Sequence, residues 1–245
     1  MCAADVYFFE VDHMRNPFCD LTKFERRLYA LSLVLVTISF LFSTPRDILN
    51  LIASLIGVTA LIFVAKGYVI GQILIVVFSV FYGIISFYFR YYGEVITYLC
   101  MTAPIAAMSA IAWFRHPFQE TKEVEVHRLT GRQWAVMLLL AVAVTTVFYF
   151  VLGALGTAGL LFSTLSVTTS FIAAWLTMLR SPLYAVGYAA NDLVLIVLWV
   201  IAAVKDPSSL PMVACFLAFF LNDSYGFINW RRMERRQAEL SGENP

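Results

Sequence analysis

The chain has 245 residues, of which 61% are hydrophobic and 13% are charged, and its formal net charge is +1. Soluble domains carry about 25% charged residues, so this composition excludes an ordinary soluble enzyme. No basic patch with interleaved aromatic residues is present, so no nucleic-acid partner is expected.

The hydrophobic residues fall in eight blocks whose length, about 20 residues, is that of a helix crossing a bilayer core about 30 Å thick. We therefore predict an all-α integral membrane protein with eight transmembrane helices, at 28–43, 48–65, 68–89, 95–114, 134–155, 160–179, 183–204 and 210–230. The first block is the weakest because it is short. The longest joint, 115–133, carries mixed charges and predicts a solvated connector. It leaves no room for a catalytic domain, so the chain is not expected to be an enzyme.

Basic residues indicate which helix ends face the cytoplasm, because cytoplasmic loops collect Lys and Arg. With eight spans, the side that holds both termini receives Arg15, Lys23, Arg26, Arg27, Lys66, Arg115, Lys122, Arg128, Arg132, Arg180, Arg231, Arg232, Arg235 and Arg236. The other side receives Arg46, Arg90 and Lys205. Residues 1–22 lack an apolar stretch with a cleavage site and do not predict a signal peptide. We predict a multi-pass protein of the inner or plasma membrane, surrounded by lipid, with cytoplasmic termini.

A faint internal repeat relates two groups of three helices. Residues 54–59 resemble residues 164–169, and the fourth and eighth spans end in similar sequences around Trp113 and Trp230. Both tryptophans are expected to lie at the membrane interface. One linker helix between the groups gives them the same orientation, which is a parallel repeat, although a few matches in apolar sequence also arise by chance. The predicted units of this single membrane domain are the tail and extra helix 1–46, the first triplet 47–115, the loop and linker helix 116–158, the second triplet 159–232 and the tail 233–245.

Polar residues inside the hydrocarbon are the candidates for a substrate site, since a carboxylate at mid-membrane costs several kcal/mol unless it faces a partner or a wet cavity. The seventh span contains Asn191 and Asp192, and the eighth contains Asn222 and Asp223. At a rise of 1.5 Å per residue, both pairs lie about 12 Å from the cytoplasmic ends of their helices. The alternative is that these side chains hydrogen-bond the two helices together.

Aromatic residues share helix faces with these pairs. On the seventh span, the residues on one side are Tyr184, Gly187, Tyr188 and Asn191. On the eighth span, they are Asn222, Gly226 and Asn229, with Tyr225 nearby. Such faces suit a flat polar ring with an attached sugar, because the ring stacks on aromatic side chains and forms hydrogen bonds at its edge.

Other polar or irregular positions are weaker candidates. Gln72 and Asn50 are single polar residues that fit helix packing as well as ligand binding. Pro104 should kink the fourth span, either as an irregular wall of a site or as a tolerated bend. A stripe of small residues on the sixth span favours close helix packing, and it consists of Ser163, Ser166 and Ser170. The cysteines show no metal-binding spacing and the histidines are isolated, so no metal or other cofactor is expected.

Two segments carry a resemblance to a known family. The run Arg-Ser-Pro-Leu-Tyr-Ala-Val-Gly-Tyr-Ala-Ala-Asn-Asp at 180–192 and the run Asn-Asp-Ser-Tyr-Gly-Phe-Ile-Asn-Trp-Arg at 222–231 resemble the PnuC family of bacterial vitamin B3 transporters. The stretch 72–83 also fits, and the resemblance extends over 24–237. It implies a SWEET-like bundle of 3+1+3 helices with an extra N-terminal helix. It also implies passive uptake of nicotinamide riboside, trapped by a separate kinase, and a homo-oligomer such as a trimer.

The seventh helix departs from the family motif Trp-x-x-Trp-x-x-x-Asn/Asp, whose positions here are Tyr184, Gly187 and Asn191. The first aromatic becomes Tyr and the second is missing, with Tyr188 as its neighbouring replacement. We therefore predict a facilitative transporter of nicotinamide riboside or a closely related nucleoside. The predicted substrate-binding residues are Gln72, Tyr184, Tyr188, Asn191, Asp192, Asn222, Asp223, Tyr225 and Asn229.

Two alternatives stay open at this point. The altered motif also fits a deoxynucleoside or thiamine carrier of the same family. A proton-coupled transporter would instead use Asp192 or Asp223 as its proton carrier.

Overall fold

The computed structural model describes residues 16–42, 48–88, 95–119, 121–157, 159–205 and 210–242. Within these ranges the chain forms long helices, which we number α1 Lys23–Phe42, α2 Ile48–Ala65, α3 Val69–Tyr88, α4 Ala103–Arg115, α5 Gly131–Ala154, α6 Leu160–Met178, α7 Tyr184–Lys205 and α8 Leu210–Ser241. A short 3-10 helix, Pro17–Asp20, precedes α1, and a π-helical segment, Ile96–Thr102, leads into α4. Each predicted hydrophobic block lies on one of these helices. Outside the described part lie Arg15, Arg46, Arg90 and the side chains of Asn50 and Lys205.

The helix surfaces are apolar on the outside as well as inside. Four described segments are long and apolar enough to span a membrane, namely Ile96–Arg115, Gly131–Ala154, Leu160–Met178 and Tyr184–Ile201. Shorter apolar helical stretches occupy Leu51–Ala65 and Val69–Ile84. On α5, Leu139 and Phe150 are 72% and 69% exposed. Such large exposed apolar side chains suit a lipid environment rather than water.

The helices pack as two similar groups of three. In the first group α2 packs on α3 and α3 packs on α4, and in the second α6 packs on α7 and α7 packs on α8. The first helix of each group also packs on the last helix of the other, because α2 contacts α8 and α6 contacts α4. The helix α1 lies against α8 and α2, and α5 lies against α6.

Local sequence explains how the first helix joins this bundle. The buried residues of α1 recur every three or four positions, which is the spacing of one helix face, and they are Glu25, Leu28, Ser32 and Val36. The helix begins with a capping box, in which the Thr22 N–H donates to Glu25 Oε2 at 2.6 Å and the Glu25 N–H donates to Thr22 Oγ1 at 3.2 Å.

The loop between α4 and α5 is largely exposed, as its charges predict, but one side of it packs against the bundle. Val124 in this loop is 1% exposed, and its N–H donates to Gly67 O at 3.0 Å. The side chain of Gln237 on α8 accepts from the Val126 N–H at 2.8 Å and donates to Val124 O at 3.0 Å. The sequence did not predict this packing because α8 continues to Ser241, past the predicted end at residue 230, and covers one side of the loop. We call the end of the bundle that contains this loop, the 3-10 helix Pro17–Asp20 and the last turns of α8 the loop end.

The charges of the loop are paired with other elements at the loop end. These ion pairs are Lys122 with Asp20 at 3.0 Å, Arg128 with Glu234 at 3.0 Å, Arg180 with Glu125 at 3.2 Å, and Arg236 with Glu123. They connect the loop to the 3-10 helix, to the joint after α6 and to α8.

The two tryptophans expected at the membrane interface are both fully buried instead. Trp113 at the end of α4 donates its indole N–H to Thr177 O at 2.9 Å, and Trp230 on α8 donates to Val64 O at 2.9 Å. Their ring centroids are 5.2 Å apart. An indole needs one hydrogen-bond partner, and here a backbone carbonyl near a helix end provides it instead of the lipid headgroups.

Candidate substrate site

A cavity of about 560 Å³ lies within the bundle, on the opposite side of the buried tryptophans from the loop end. Its walls come from α2, α3, the π-helical segment, the far end of α5, and α6, α7 and α8. Ligand pockets for small molecules typically measure about 300–1,000 Å³ and are largely apolar with a few polar groups. The cavity therefore has the size and composition of a small-molecule site.

Five of the nine predicted site residues line this cavity: Gln72, Tyr188, Asn191, Asp192 and Asp223. The four polar ones are nearly buried, with exposures of 3% to 7%. Three of the four residues in the two Asn-Asp pairs thus line one cavity, and Asn222 does not. Their binding roles stay predictions.

The amide of Asn191 is oriented by α6. Its Oδ1 accepts hydrogen bonds from Ser166 Oγ at 2.9 Å and Thr169 Oγ1 at 3.0 Å. These bonds occupy the oxygen and leave the Nδ2 donor for another acceptor. The sequence favoured close helix packing for the serine stripe on α6. In the structure, Ser163, Ser166 and Ser170 line the cavity.

The carboxyl groups of Asp192 on α7 and Asp223 on α8 both face the cavity and interact with each other. Asp192 Oδ2 is buried and has no hydrogen-bond partner among the described residues. The described lining of the cavity includes no Lys, Arg or His. The site is therefore acidic, with its charge carried by one pair of carboxyls.

The other four predicted residues do not line the cavity and contact neighbouring helices instead. Tyr184 is 1% exposed, and its ring centroid lies 5.0 Å from that of Trp230. Asn222 Nδ2 donates to Ser32 Oγ on α1 at 2.7 Å. Tyr225 donates its hydroxyl to Glu25 Oε1 at 2.8 Å, and Asn229 Nδ2 donates to Ala65 O at 2.9 Å. In this conformation the three α8 side chains hold α8 to α1 and α2.

The structure also explains the missing aromatic of the motif. A Cβ added to Gly187 would lie 2.9 Å from both Cα and Cβ of Ala173 on α6. At position 187, α7 therefore packs tightly on α6, and no ring fits there in this packing. Tyr188, one residue on, lines the cavity.

Several cavity residues were not predicted from the sequence. An aromatic wall is formed by Phe78, Tyr82 and Tyr98, with ring centroids 4.5 to 5.8 Å apart. The π-helical segment contributes Thr97 and Thr102, and Thr102 Oγ1 donates to Thr97 O at 3.1 Å. Aromatic residues are common in apolar spans, so the sequence does not distinguish those that line a cavity from those that face lipid. The π-helical segment ends just before Pro104, so this proline was the sequence feature that could have indicated an irregular segment.

A buried charge network outside the cavity was also missed. Glu25 is 1% exposed, and both of its carboxylate oxygens lie 3.2 Å from Lys66 Nζ. The spacing from Thr22 to Glu25 is that of a capping box and marks the true start of α1. The first hydrophobic block begins later, at residue 28, so hydropathy alone left Glu25 in a solvated tail.

Comparison with known proteins adds independent information. A family model described as nicotinamide mononucleotide transporter matches residues 47–232. The nicotinamide riboside transporter PnuC of Neisseria mucosa is 28% identical over 229 residues, which cover 91% of this chain and 87% of that protein. The crystal structure of the vitamin B3 transporter PnuC matches with a TM-score of 0.74 at 27% identity, over 89% of this chain and 94% of that chain. These relatives are transporters and not enzymes, and the match places the chain among helical, multi-pass integral membrane proteins.

Proposed function

The chain belongs to the nicotinamide mononucleotide transporter family, and we propose that it carries nicotinamide riboside passively across the inner or plasma membrane. The observation that carries the proposal is the buried cavity, where Gln72, Tyr188 and Asn191 lie together with an aromatic wall. A nucleoside offers a flat ring for stacking, and amide and hydroxyl groups for hydrogen bonds.

The charge of the cavity favours the riboside over the mononucleotide. A phosphate group is recognised by Arg or Lys or by a helix N-terminus, and the described lining has no basic side chain. A phosphate would also meet the carboxyl groups of Asp192 and Asp223. The uncharged sugar of the riboside has no such conflict.

We assign direct contacts with the substrate to the cavity residues among those predicted. Tyr188 would stack on the ring, while Asn191 Nδ2 and the amide of Gln72 would hydrogen-bond its polar edge. Tyr184, Asn222, Tyr225 and Asn229 would support the site by holding α7 and α8 in place.

The proposed topology has eight spans, a 3+1+3 parallel repeat and cytoplasmic termini at the loop end. The reciprocal packing of the two triplets supports the repeat. The two indole–carbonyl bonds also support it, since each joins the last helix of one triplet to the first helix of the other. Alternating access would come from one triplet rocking against the other. The tryptophan pair then closes the cytoplasmic side and must separate when the cavity opens inward.

The family resemblance supports a homo-oligomer, and a trimer is our hypothesis. The mass of the purified protein–detergent complex, corrected for bound detergent, tests it.

The test of function is uptake of labelled nicotinamide riboside into proteoliposomes, with unlabelled nicotinamide riboside, deoxynucleosides and thiamine as competitors. We expect saturable uptake that stops at equilibrium and is blocked best by nicotinamide riboside. Asn191→Ala should weaken it, whereas Asp20→Asn, at the loop end, should not. Absence of uptake, or stronger competition by a deoxynucleoside, would refute the substrate assignment.

A second candidate function is proton-coupled uptake through Asp192 and Asp223. It is favoured by the buried Asp192 Oδ2, which has no partner among the described residues. An imposed proton gradient would then drive accumulation above equilibrium, and an uncoupler would abolish it. With the membrane potential held at zero, passive transport of the nicotinamide riboside cation would be unaffected by either treatment.

A further inference from the structure

The cavity has an unbalanced charge. Asp192 and Asp223 are the only charged residues in its described lining, and they are 3% and 4% exposed. Burying an ionised carboxylate in an apolar medium is costly unless a partner or a wet cavity compensates it. Because this lining offers no cationic side chain, the missing positive charge has to come from solvent or from a ligand.

The two carboxyl groups together are suited to a single positive charge. They interact with each other, and neighbouring carboxyls in a poorly solvated site tend to share one proton, because like charges at short range do not both ionise. With one proton shared, such a pair carries one negative charge. Asp192 Oδ2 is buried and has no hydrogen-bond partner in the described structure, so the described residues do not compensate this oxygen.

The aromatic wall also favours a positively charged ligand. The rings of Phe78, Tyr82 and Tyr98 lie within 5.8 Å of one another and line the cavity with Tyr188. The faces of such rings carry negative electrostatic potential and attract a cation placed over them. Carboxyl pair and aromatic wall therefore favour the same kind of ligand, a flat ring that bears a positive charge.

We propose that the cavity selects its substrate by positive charge, with Asp192 and Asp223 as the specificity-determining residues. The substrate class is an aromatic cation joined to a sugar or a similar polar group, such as the N-glycosylated pyridinium ring of nicotinamide riboside. This inference rests on the proposed function and adds that a neutral nucleoside of the same shape is rejected. It also divides the alternative substrates, since thiamine is a cation and the common deoxynucleosides are neutral.

The test compares two ligands of nearly identical shape on the purified full-length protein. Benzamide riboside has a carbon where nicotinamide riboside has its charged ring nitrogen, so it is neutral and still aromatic. We expect isothermal titration calorimetry to show at least tenfold weaker binding of benzamide riboside, which corresponds to about 1.4 kcal/mol. In the double variant Asp192→Asn/Asp223→Asn, the preference should fall to within about twofold. The matched control Asp20→Asn removes a carboxylate at the loop end and should keep the full preference.

Equal affinities of the two ligands in the unmodified protein would overturn charge selection while leaving the transport proposal intact. A double variant that keeps the tenfold preference would overturn the assignment to these two residues. If nicotinamide riboside itself does not bind, the proposed function fails, and charge selection fails with it. The comparison in the unmodified protein decides the question even if the double variant does not fold.

Discussion

Gly187 occupies the position at which the family motif carries its second aromatic residue, and we predict that even alanine destabilises the protein there. The added Cβ would lie 2.9 Å from Ala173 Cα and Cβ and 3.2 Å from Ala173 N. Backbone atoms cannot rotate away as a flexible side chain can, so α6 and α7 must move apart. Overpacking of this kind costs about 1–3 kcal/mol, whereas the helix propensity gained from glycine to alanine returns up to about 1 kcal/mol.

The expected net loss is about 1–2 kcal/mol, and it should appear as a melting temperature lower by several degrees in detergent. Gly153→Ala on α5 is the matched control, because its new Cβ would meet only Leu160 Cδ2 at 3.7 Å, an ordinary contact. Ala173→Gly should partly rescue Gly187→Ala by removing the opposing methyl group. The reasoning is refuted if Gly187→Ala melts at the same temperature as the unmodified chain, or if Gly187→Trp binds nicotinamide riboside more tightly with no loss of stability.

Three further predictions concern the buried tryptophan pair, the Glu25–Lys66 ion pair and the ring of Tyr188. Trp230→Phe removes one indole hydrogen bond, worth about 1 kcal/mol, so inward opening should become several-fold more frequent. It is measured as cytoplasmic labelling of a cysteine placed in the cavity, and an unchanged labelling rate contradicts it. Glu25→Gln removes the carboxylate that pairs with Lys66, although Glu123 also interacts electrostatically with this lysine, and it should destabilise the fold by about 1–3 kcal/mol; a melting temperature within a degree of the original would contradict the burial argument. Tyr188→Ala should weaken nicotinamide riboside binding about tenfold or more, whereas Tyr184→Phe, outside the cavity, should leave the dissociation constant unchanged; equal effects would contradict the assignment of the stacking ring.

Hydropathy was sufficient to locate the helices, because each block of apolar residues corresponds to one helix. Rise per residue was sufficient to place Asn191, Asp192 and Asp223 at the level of one cavity. What the sequence could not supply was the direction in which each polar side chain points, since that depends on which helix lies beside it. The aromatic wall of Phe78 and Tyr98 was missed because aromatic residues are common in any apolar span.

The helix α1 explains why two of the predicted substrate-binding residues on α8 lie outside the cavity. It places Glu25 and Ser32 against α8, where they bond Tyr225 and Asn222. Two residues that the sequence assigns to the substrate are thus engaged with the extra helix, and of the α8 candidates only Asp223 faces the cavity. Helix α8 therefore contributes one carboxyl, Asp223, while α7 contributes the second carboxyl, Asp192, together with Tyr188 and the amide of Asn191. The charge-selecting pair thus spans both helices, so Asp192→Asn on α7 and Asp223→Asn on α8 should each weaken binding of a cationic nucleoside more than binding of a neutral one, whereas Tyr188→Ala should weaken binding of both.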